Sequence, residues 1–183
     1  VIMFTSFNPA AGKTFSIMNL AASMALKKSK VIIVDLDLRK ATLTKTFGKQ
    51  HSGVAAYLNG KMDDYHSCID ELSSDLFLLP IGTLPPNPTE LLLTERFGKM
   101  IDELRKEYDY VFLDCPPIDI VADASIITEK VDMTVFVLRA GRIDKSSLPY
   151  VDELYRSGKY RHMAVVINSV ELLAKRYGYD NFE

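Results

Sequence analysis

Short apolar runs alternate along the chain with segments whose apolar residues recur every three or four positions. The runs have the length and composition of β-strands and lie at residues 1–6, 31–34, 76–81, 110–113, 134–138 and 163–167. Several are apolar at almost every position, which is typical of strands that bury both faces in a parallel sheet. The alternation predicts an α/β fold, with a doubly wound, mostly parallel sheet between two layers of helices.

Two helices are well marked. The first follows residues 1–6, and its apolar positions Ile17, Leu20, Ala21 and Met24 have helical spacing. The second begins at Pro88, with Asn87 and Glu90 in the positions of a capping box. An apolar stripe from Phe97 to Tyr108 predicts that this second helix continues as one element.

Length and composition indicate one globular unit. The chain has 183 residues, of which 48% are apolar and 25% charged, which excludes a disordered segment, a collagen-like rod and a coiled coil. We expect a domain at residues 1–170, followed by a tyrosine-bearing tail at residues 171–183, where the composition becomes polar.

The charge balance limits the classes of partner that the chain is expected to bind. A net charge of −2 gives no basic field for nucleic acid, so we expect no nucleic-acid partner. No run of about 18 apolar residues is present to span a membrane. The two cysteines offer no disulfide framework, so the sequence predicts a cytoplasmic location.

The strongest chemical signal lies between the first strand and the first helix. It comprises Pro9, Ala10, Ala11, Gly12, Lys13, Thr14 and Phe15. Small residues before a helix let backbone N–H groups approach a phosphate. We expect Lys13 to contact the β- and γ-phosphates of ATP and Thr14 to bind Mg²⁺. The strict pattern has glycine where this chain has Phe7.

Acidic residues follow two later strands. Asp35 and Asp37 come at the end of residues 31–34, and in extended chain their side chains would project to the same side. Either could hold Mg²⁺ or accept a proton from an attacking hydroxyl. Asp114 ends another apolar strand, as in a Walker B motif. Because the carboxyl ends of parallel strands share one edge, we expect Lys13, Asp35 and Asp114 to converge.

Two further features have alternatives. Asn168 follows a late strand and either reads an adenine edge or caps a local turn. Tyr177 and Tyr179 flank Gly178 in the tail. They are either surface rings of a docked terminus or, beside a site of phosphoryl transfer, phosphate acceptors.

With these motifs the chain resembles the cytoplasmic kinase domain of the bacterial tyrosine kinases, P-loop proteins that regulate synthesis and export of capsule and exopolysaccharide. The matching segments are residues 7–15, 34–39, 85–92, 114–117, 139–141 and the tyrosine-bearing end. The resemblance implies autophosphorylation with ATP and Mg²⁺ as cofactors. Lys13, Asp35, Asp37 and Asp114 would be catalytic residues, with Asp35 as the base.

The resemblance also implies partners: further copies of the chain in a ring, a transmembrane polysaccharide co-polymerase or adaptor, fused or separate, and a tyrosine phosphatase. It places the domain at the inner face of the cell membrane. An alternative is a partitioning or septum-site ATPase that hydrolyses ATP, but those proteins carry an additional lysine in the loop, where this chain has Asn8. A nucleotide-gated scaffold is a third interpretation.

Overall fold

The computed structural model describes residues 1–38, 40–48, 52–118, 127–143, 146 and 148–170. Its strands are β1 (Ile2–Ser6), β2 (Val31–Asp35), β3 (Asp70–Ser73), β4 (Leu76–Leu79), β5 (Tyr110–Asp114), β6 (Met133–Arg139) and β7 (Met163–Asn168). Its α-helices are α1 (Lys13–Leu26), α2 (Thr42–Phe47), α3 (Val54–Leu58), α4 (Pro88–Leu92), α5 (Glu95–Glu107) and α6 (Leu148–Arg156). Short 3₁₀ turns lie at His66–Cys68 and Thr128–Lys130.

The described strands form one sheet in the order β3-β4-β2-β5-β1-β6-β7. Neighbouring strands are parallel except β3 and β4, which pair antiparallel at one edge. β1 lies between β5 and β6, and Phe4 is in register with Asp114. The predicted doubly wound, mostly parallel sheet is confirmed, and its central strands end beside the loop that follows β1.

The central strands bury both faces. On one face Met3, Leu113 and Phe136 pack with the apolar side of α5. On the other face Phe4 and Phe112 pack with the apolar side of α1. This two-sided burial explains why the strands are continuous apolar runs rather than alternating ones.

One predicted helix is two helices. The segment that was predicted to run from Pro88 to Tyr108 is divided between α4 and α5 at Leu93 and Thr94. Thr94 has an extended backbone, and its hydroxyl donates to the carbonyl of Leu91, which closes the first helix. The predicted capping box is also wrong in detail, because the Asn87 amide donates to the Glu90 carboxylate and not to the backbone.

Elements with weak patterns went unpredicted. β3 is a short, polar edge strand, and α2 and α3 have six and five residues. Within the described residues, none of the helices has the length and apolarity needed to cross a lipid bilayer.

Candidate functional site

The loop between β1 and α1 has the backbone geometry of an anion-binding loop. Ala10 and Gly12 adopt left-handed backbone conformations, with φ of 61° and 94°. The first turn of α1 has neither a side-chain cap nor an acidic residue. Its N–H groups and the positive end of the helix dipole therefore remain available to phosphate oxygens.

Phe7, which replaces the expected glycine, anchors this loop to the core. Its ring is 5% exposed and lies 5.8 Å from the ring of Phe136 and 5.5 Å from that of Tyr150, between centroids. The loop thus begins at a fixed apolar contact.

Lys13 and Thr14 reach the end of β5. The Lys13 ammonium lies 3.5 Å from Oδ1 of Asp114, and the Thr14 hydroxyl donates a hydrogen bond of 3.0 Å to Oδ2 of the same carboxylate. Burial raises the pKa of Asp114, and Lys13 and Thr14 oppose that rise. These three predicted site residues are brought together, in the arrangement of a Walker A and Walker B pair.

The Asp114 carboxylate has capacity for a cation. Its Oδ1 is buried and accepts no hydrogen bond from the described residues. Mg²⁺ is usually held by one or two protein groups together with waters and substrate phosphates. Across the described residues no group of three or more His, Cys, Asp or Glu side chains is arranged to hold a metal. Thr14 and Asp114 fit a cation that is also bound by phosphate.

Asp35 lies at the end of β2, in register with Asp114. It is fully buried, and its Oδ2 accepts two hydrogen bonds of 2.8 Å, from the N–H and the hydroxyl of Thr44. Its Oδ1 accepts the N–H of Asp37 at 3.2 Å. Burial and the neighbouring Asp114 raise the pKa of Asp35 to about 7, although these hydrogen bonds oppose the rise.

Asp37 occupies a different position from Asp35. β2 ends at Asp35, and the chain then turns, with the Lys40 N–H donating to the Asp37 carboxylate and the Ala41 N–H to the Asp37 carbonyl. The expected extended geometry therefore stops at Asp35, and the two carboxylates do not form one projecting pair. Asp37 lines a cavity together with the phosphate loop, whereas Asp35 does not line it.

That cavity has a volume of about 340 Å³. It is lined by residues 9–14 of the loop and by Asp37, Lys40, Thr42 and Pro117. The cavity thus combines the loop that the sequence predicts to bind phosphate with a carboxylate and a lysine from the segment after β2.

Asn168 contacts the loop itself. Its amide donates to the carbonyl of Ala11 at 3.0 Å, and its carbonyl oxygen accepts the N–H of Ser169 at 2.8 Å. A Cβ on Gly12 would overlap the Asn168 side chain. The structure therefore shows the local-turn interpretation, together with a contact to the phosphate loop that the sequence did not reveal. The second N–H and the second lone pair of the Asn168 amide are not used by these two bonds.

Thr44 is a site residue that sequence reasoning missed. It lies nine positions after Asp35 in a short helix, and no motif spacing marks it. The tail tyrosines Tyr177 and Tyr179 lie outside the described residues.

Comparisons with known proteins agree with this geometry. A family profile described as an AAA domain matches residues 1–135. Tyrosine-protein kinase CpsD of Streptococcus pneumoniae serotype 4 is 36% identical over 181 residues, which cover 97% of this chain and 79% of CpsD.

Solved structures of tyrosine-kinase domains and of related ATPases have the same fold. The kinase domain of the Escherichia coli tyrosine kinase ETK superposes with a TM-score of 0.82 at 29% identity, over 92% of this chain and 68% of that one. A ParA family ATPase from Chlorobium tepidum shares the fold, with a TM-score of 0.73 at 18% identity over 95% of this chain and 76% of the ATPase. The extent and level of identity with CpsD show that the chain belongs to the family of bacterial tyrosine-protein kinases.

Proposed function

We propose that this protein is an ATP-dependent tyrosine autokinase, which transfers the γ-phosphoryl group of ATP to Tyr177 and Tyr179 in the tail of a neighbouring copy. The observation that carries the proposal is that Lys13 and Thr14, which both contact the Asp114 carboxylate, line the same cavity as Asp37. Membership of the tyrosine-kinase family supports the same reaction.

In this proposal the loop between β1 and α1 binds the phosphates of ATP. Backbone N–H groups at the start of α1 bind the phosphates, and Lys13 neutralises charge on the transferred group. Thr14 and Asp114 would hold Mg²⁺, which supplies further neutralisation of phosphate charge when it is bound. Phosphoryl transfer depends mainly on such positioning and electrostatic stabilisation.

In this proposal Asp35, at the end of β2, and Asp37, just after it, act on the tyrosine that accepts the phosphoryl group. Asp37 lines the cavity and receives the tyrosyl hydroxyl. Asp35 lies behind it, and a pKa of about 7 suits a group that takes a proton at neutral pH, here through one water. We therefore keep Asp35 as the proposed base and give Asp37 the contact with the acceptor.

The tail has the reach for this role. From Asn168, at the end of β7, nine residues lead to Tyr177, and about 3.3 Å per extended residue gives roughly 30 Å. Reach alone allows transfer within one chain or between chains. The family resemblance favours transfer between copies in a ring.

In the cell, we propose that the domain acts at the inner face of the membrane with a transmembrane polysaccharide co-polymerase or adaptor. A tyrosine phosphatase would reverse the modification, and the cycle would regulate capsule or exopolysaccharide export. The match to tyrosine-protein kinase wzc of Salmonella typhimurium covers 100% of this chain but only 26% of wzc, so that relative contains much sequence beyond a domain of this kind.

The first experiment is to incubate the purified full chain with ATP and Mg²⁺ and to locate phosphate by mass spectrometry. We expect phosphate on Tyr177 or Tyr179, and none when Lys13→Met is used. Release of inorganic phosphate with unmodified tyrosines would instead support the ATPase alternative. The absence of both phosphotyrosine and released phosphate would support the nucleotide-gated scaffold.

A mixing experiment separates the two routes of transfer. The Lys13→Met chain, which keeps its tyrosines, is mixed with a chain in which Tyr177 and Tyr179 are both replaced by Phe. Phosphate on the Lys13→Met chain demonstrates transfer between copies. Its absence, with normal activity of the unmixed wild type, means that each chain modifies its own tail.

A further inference from the structure

Thr44 holds Asp35 with two donors at once. Its backbone N–H and its hydroxyl both donate to Oδ2 of Asp35, each at 2.8 Å. The two residues belong to different elements, since Asp35 ends β2 and Thr44 lies within α2. The carboxylate is therefore oriented by a helix that follows it in the chain.

The Thr44 hydroxyl is also an acceptor. The N–H of Ile81 donates to it at 2.8 Å, just after β4. The preceding Pro80 carbonyl and the Ile81 carbonyl accept the N–H groups of Val54 and Ala55, at the start of α3. One hydroxyl thus joins the end of β2, helix α2 and the segment that follows β4, and both its donor and an acceptor site are used.

The Thr44 hydroxyl contacts a carboxylate whose ionised form is disfavoured by its surroundings. Asp35 is fully buried and in register with the buried Asp114 on the neighbouring strand, so desolvation and like charge both disfavour its ionised form. Hydrogen bonds to a buried carboxylate offset these effects and are the stronger, charge-assisted kind.

The effect reaches the cavity through the backbone. Oδ1 of Asp35 accepts the N–H of Asp37, and Asp37 lines the same cavity as the phosphate loop. A carboxylate turned away from its position would release that N–H. Thr44 itself is not among the residues that line the cavity.

We propose that Thr44 is a positioning residue for phosphoryl transfer, whose hydroxyl fixes Asp35 and, through the Asp37 N–H, the acceptor side of the site. This inference rests on the proposed kinase function. Since the hydroxyl acts on the acceptor side, its loss lowers the turnover number and leaves nucleotide binding by the loop intact.

The test compares Thr44→Val with Thr44→Ser in the full chain. Valine keeps the branched shape and removes the hydroxyl, whereas serine keeps the hydroxyl. We expect Thr44→Val to lower kcat for tyrosine phosphorylation by about 10- to 100-fold, as for other residues that orient functional groups. The KM for ATP and the affinity for ADP stay at wild-type values, and Thr44→Ser restores most of kcat.

Thr46→Val is the matched control. Thr46 lies in the same helix and its hydroxyl donates to the carbonyl of Thr42 on the exposed side, so its loss should leave kcat unchanged. Circular dichroism and urea unfolding report whether each variant is folded, and Thr44→Cys, a weaker donor of similar size, replaces Thr44→Val if that variant does not fold.

Failure of the Thr44 proposal can be distinguished from failure of the kinase proposal. Wild-type protein that phosphorylates no tyrosine contradicts the kinase proposal itself. An active wild type with an equally active Thr44→Val overturns the role of Thr44. So does a Thr44→Ser variant as impaired as Thr44→Val, or a loss of kcat matched by an equal loss of ADP affinity.

Discussion

The Thr14 hydroxyl donates a hydrogen bond of 3.0 Å to Asp114, which lies one hundred positions further along the chain. The contact connects the first turn of α1 to the end of β5. Because β1 and β5 are adjacent and parallel, the loop after one strand meets the carboxylate that ends the other. The proposed nucleotide site therefore depends on strand order, and each of its parts can be tested separately.

Asp114→Asn should lower tyrosine phosphorylation by about 10- to 100-fold. The amide removes the negative charge that would attract Mg²⁺ but keeps the size of the side chain. We expect ADP affinity without Mg²⁺ to be retained and the gain in affinity on adding Mg²⁺ to be lost, as measured by calorimetry. Asp109→Asn, one residue before the same strand, is the control. Undiminished transfer by Asp114→Asn would mean that the metal lies elsewhere.

Asp35 should make the stability of the nucleotide-free protein depend on pH. Its pKa is raised from 3.8 to about 7 on folding, so its favourable contribution is present below the unfolded value and is lost as the pH rises through about 7. Asp35→Asn does not titrate. The free energy of unfolding of this variant, relative to that of wild type, should therefore rise by about 3 kcal/mol between about pH 5 and about pH 8.

Urea unfolding of both proteins at the two pH values measures this difference directly. A constant difference would show that Asp35 titrates normally in the folded protein. The comparison does not depend on any hydrogen bond that the amide loses, because such a loss enters at both pH values.

Gly12→Ala should disable nucleotide binding. Gly12 has φ of 94°, and an added Cβ would overlap the Asn168 side chain, which would release the hydrogen bond from Asn168 to Ala11. Gly60→Ala is the control, because Gly60 has φ of 69° and no atom within 4 Å of the added carbon. That variant pays only the left-handed strain of about 1 kcal/mol and should bind ADP normally.

Phe7→Gly would restore the strict loop pattern, yet we expect it to destabilise the protein. The buried ring packs on Phe136 and Tyr150, so its removal should lower the free energy of unfolding by about 3 kcal/mol or more. Phe15→Ala, which removes a ring that is 67% exposed, should change it by only about 0.5 kcal/mol. Equal effects in urea unfolding would contradict an anchoring role for Phe7.

The sheet could be predicted because its central strands bury both faces. Such strands leave continuous apolar runs, and the predicted limits differ from the observed ones by one or two residues. The polar edge strand β3 and the short helices α2 and α3 left no comparable pattern. The break between α4 and α5 depends on the backbone of Thr94 and its bond to Leu91, which an apolar stripe does not reveal.

The site was predictable where it follows the strand ends. Lys13, Thr14 and Asp114 could be placed together from the rule that parallel strands share a carboxyl edge. The separate positions of Asp35 and Asp37 could not, because they depend on where β2 stops and where the chain turns. Thr44 depends on the packing of α2 against that turn, and no local pattern predicts it.

The uncapped start of α1 has a thermodynamic consequence. A helix that begins at Lys13 without a capping side chain or a nearby acid has first N–H groups that a phosphate can cap, so under the proposed function ATP and ADP would serve as its N-cap. Cellular nucleotide levels would thereby also set how long the folded enzyme survives, and nucleotide depletion would expose it to proteolysis.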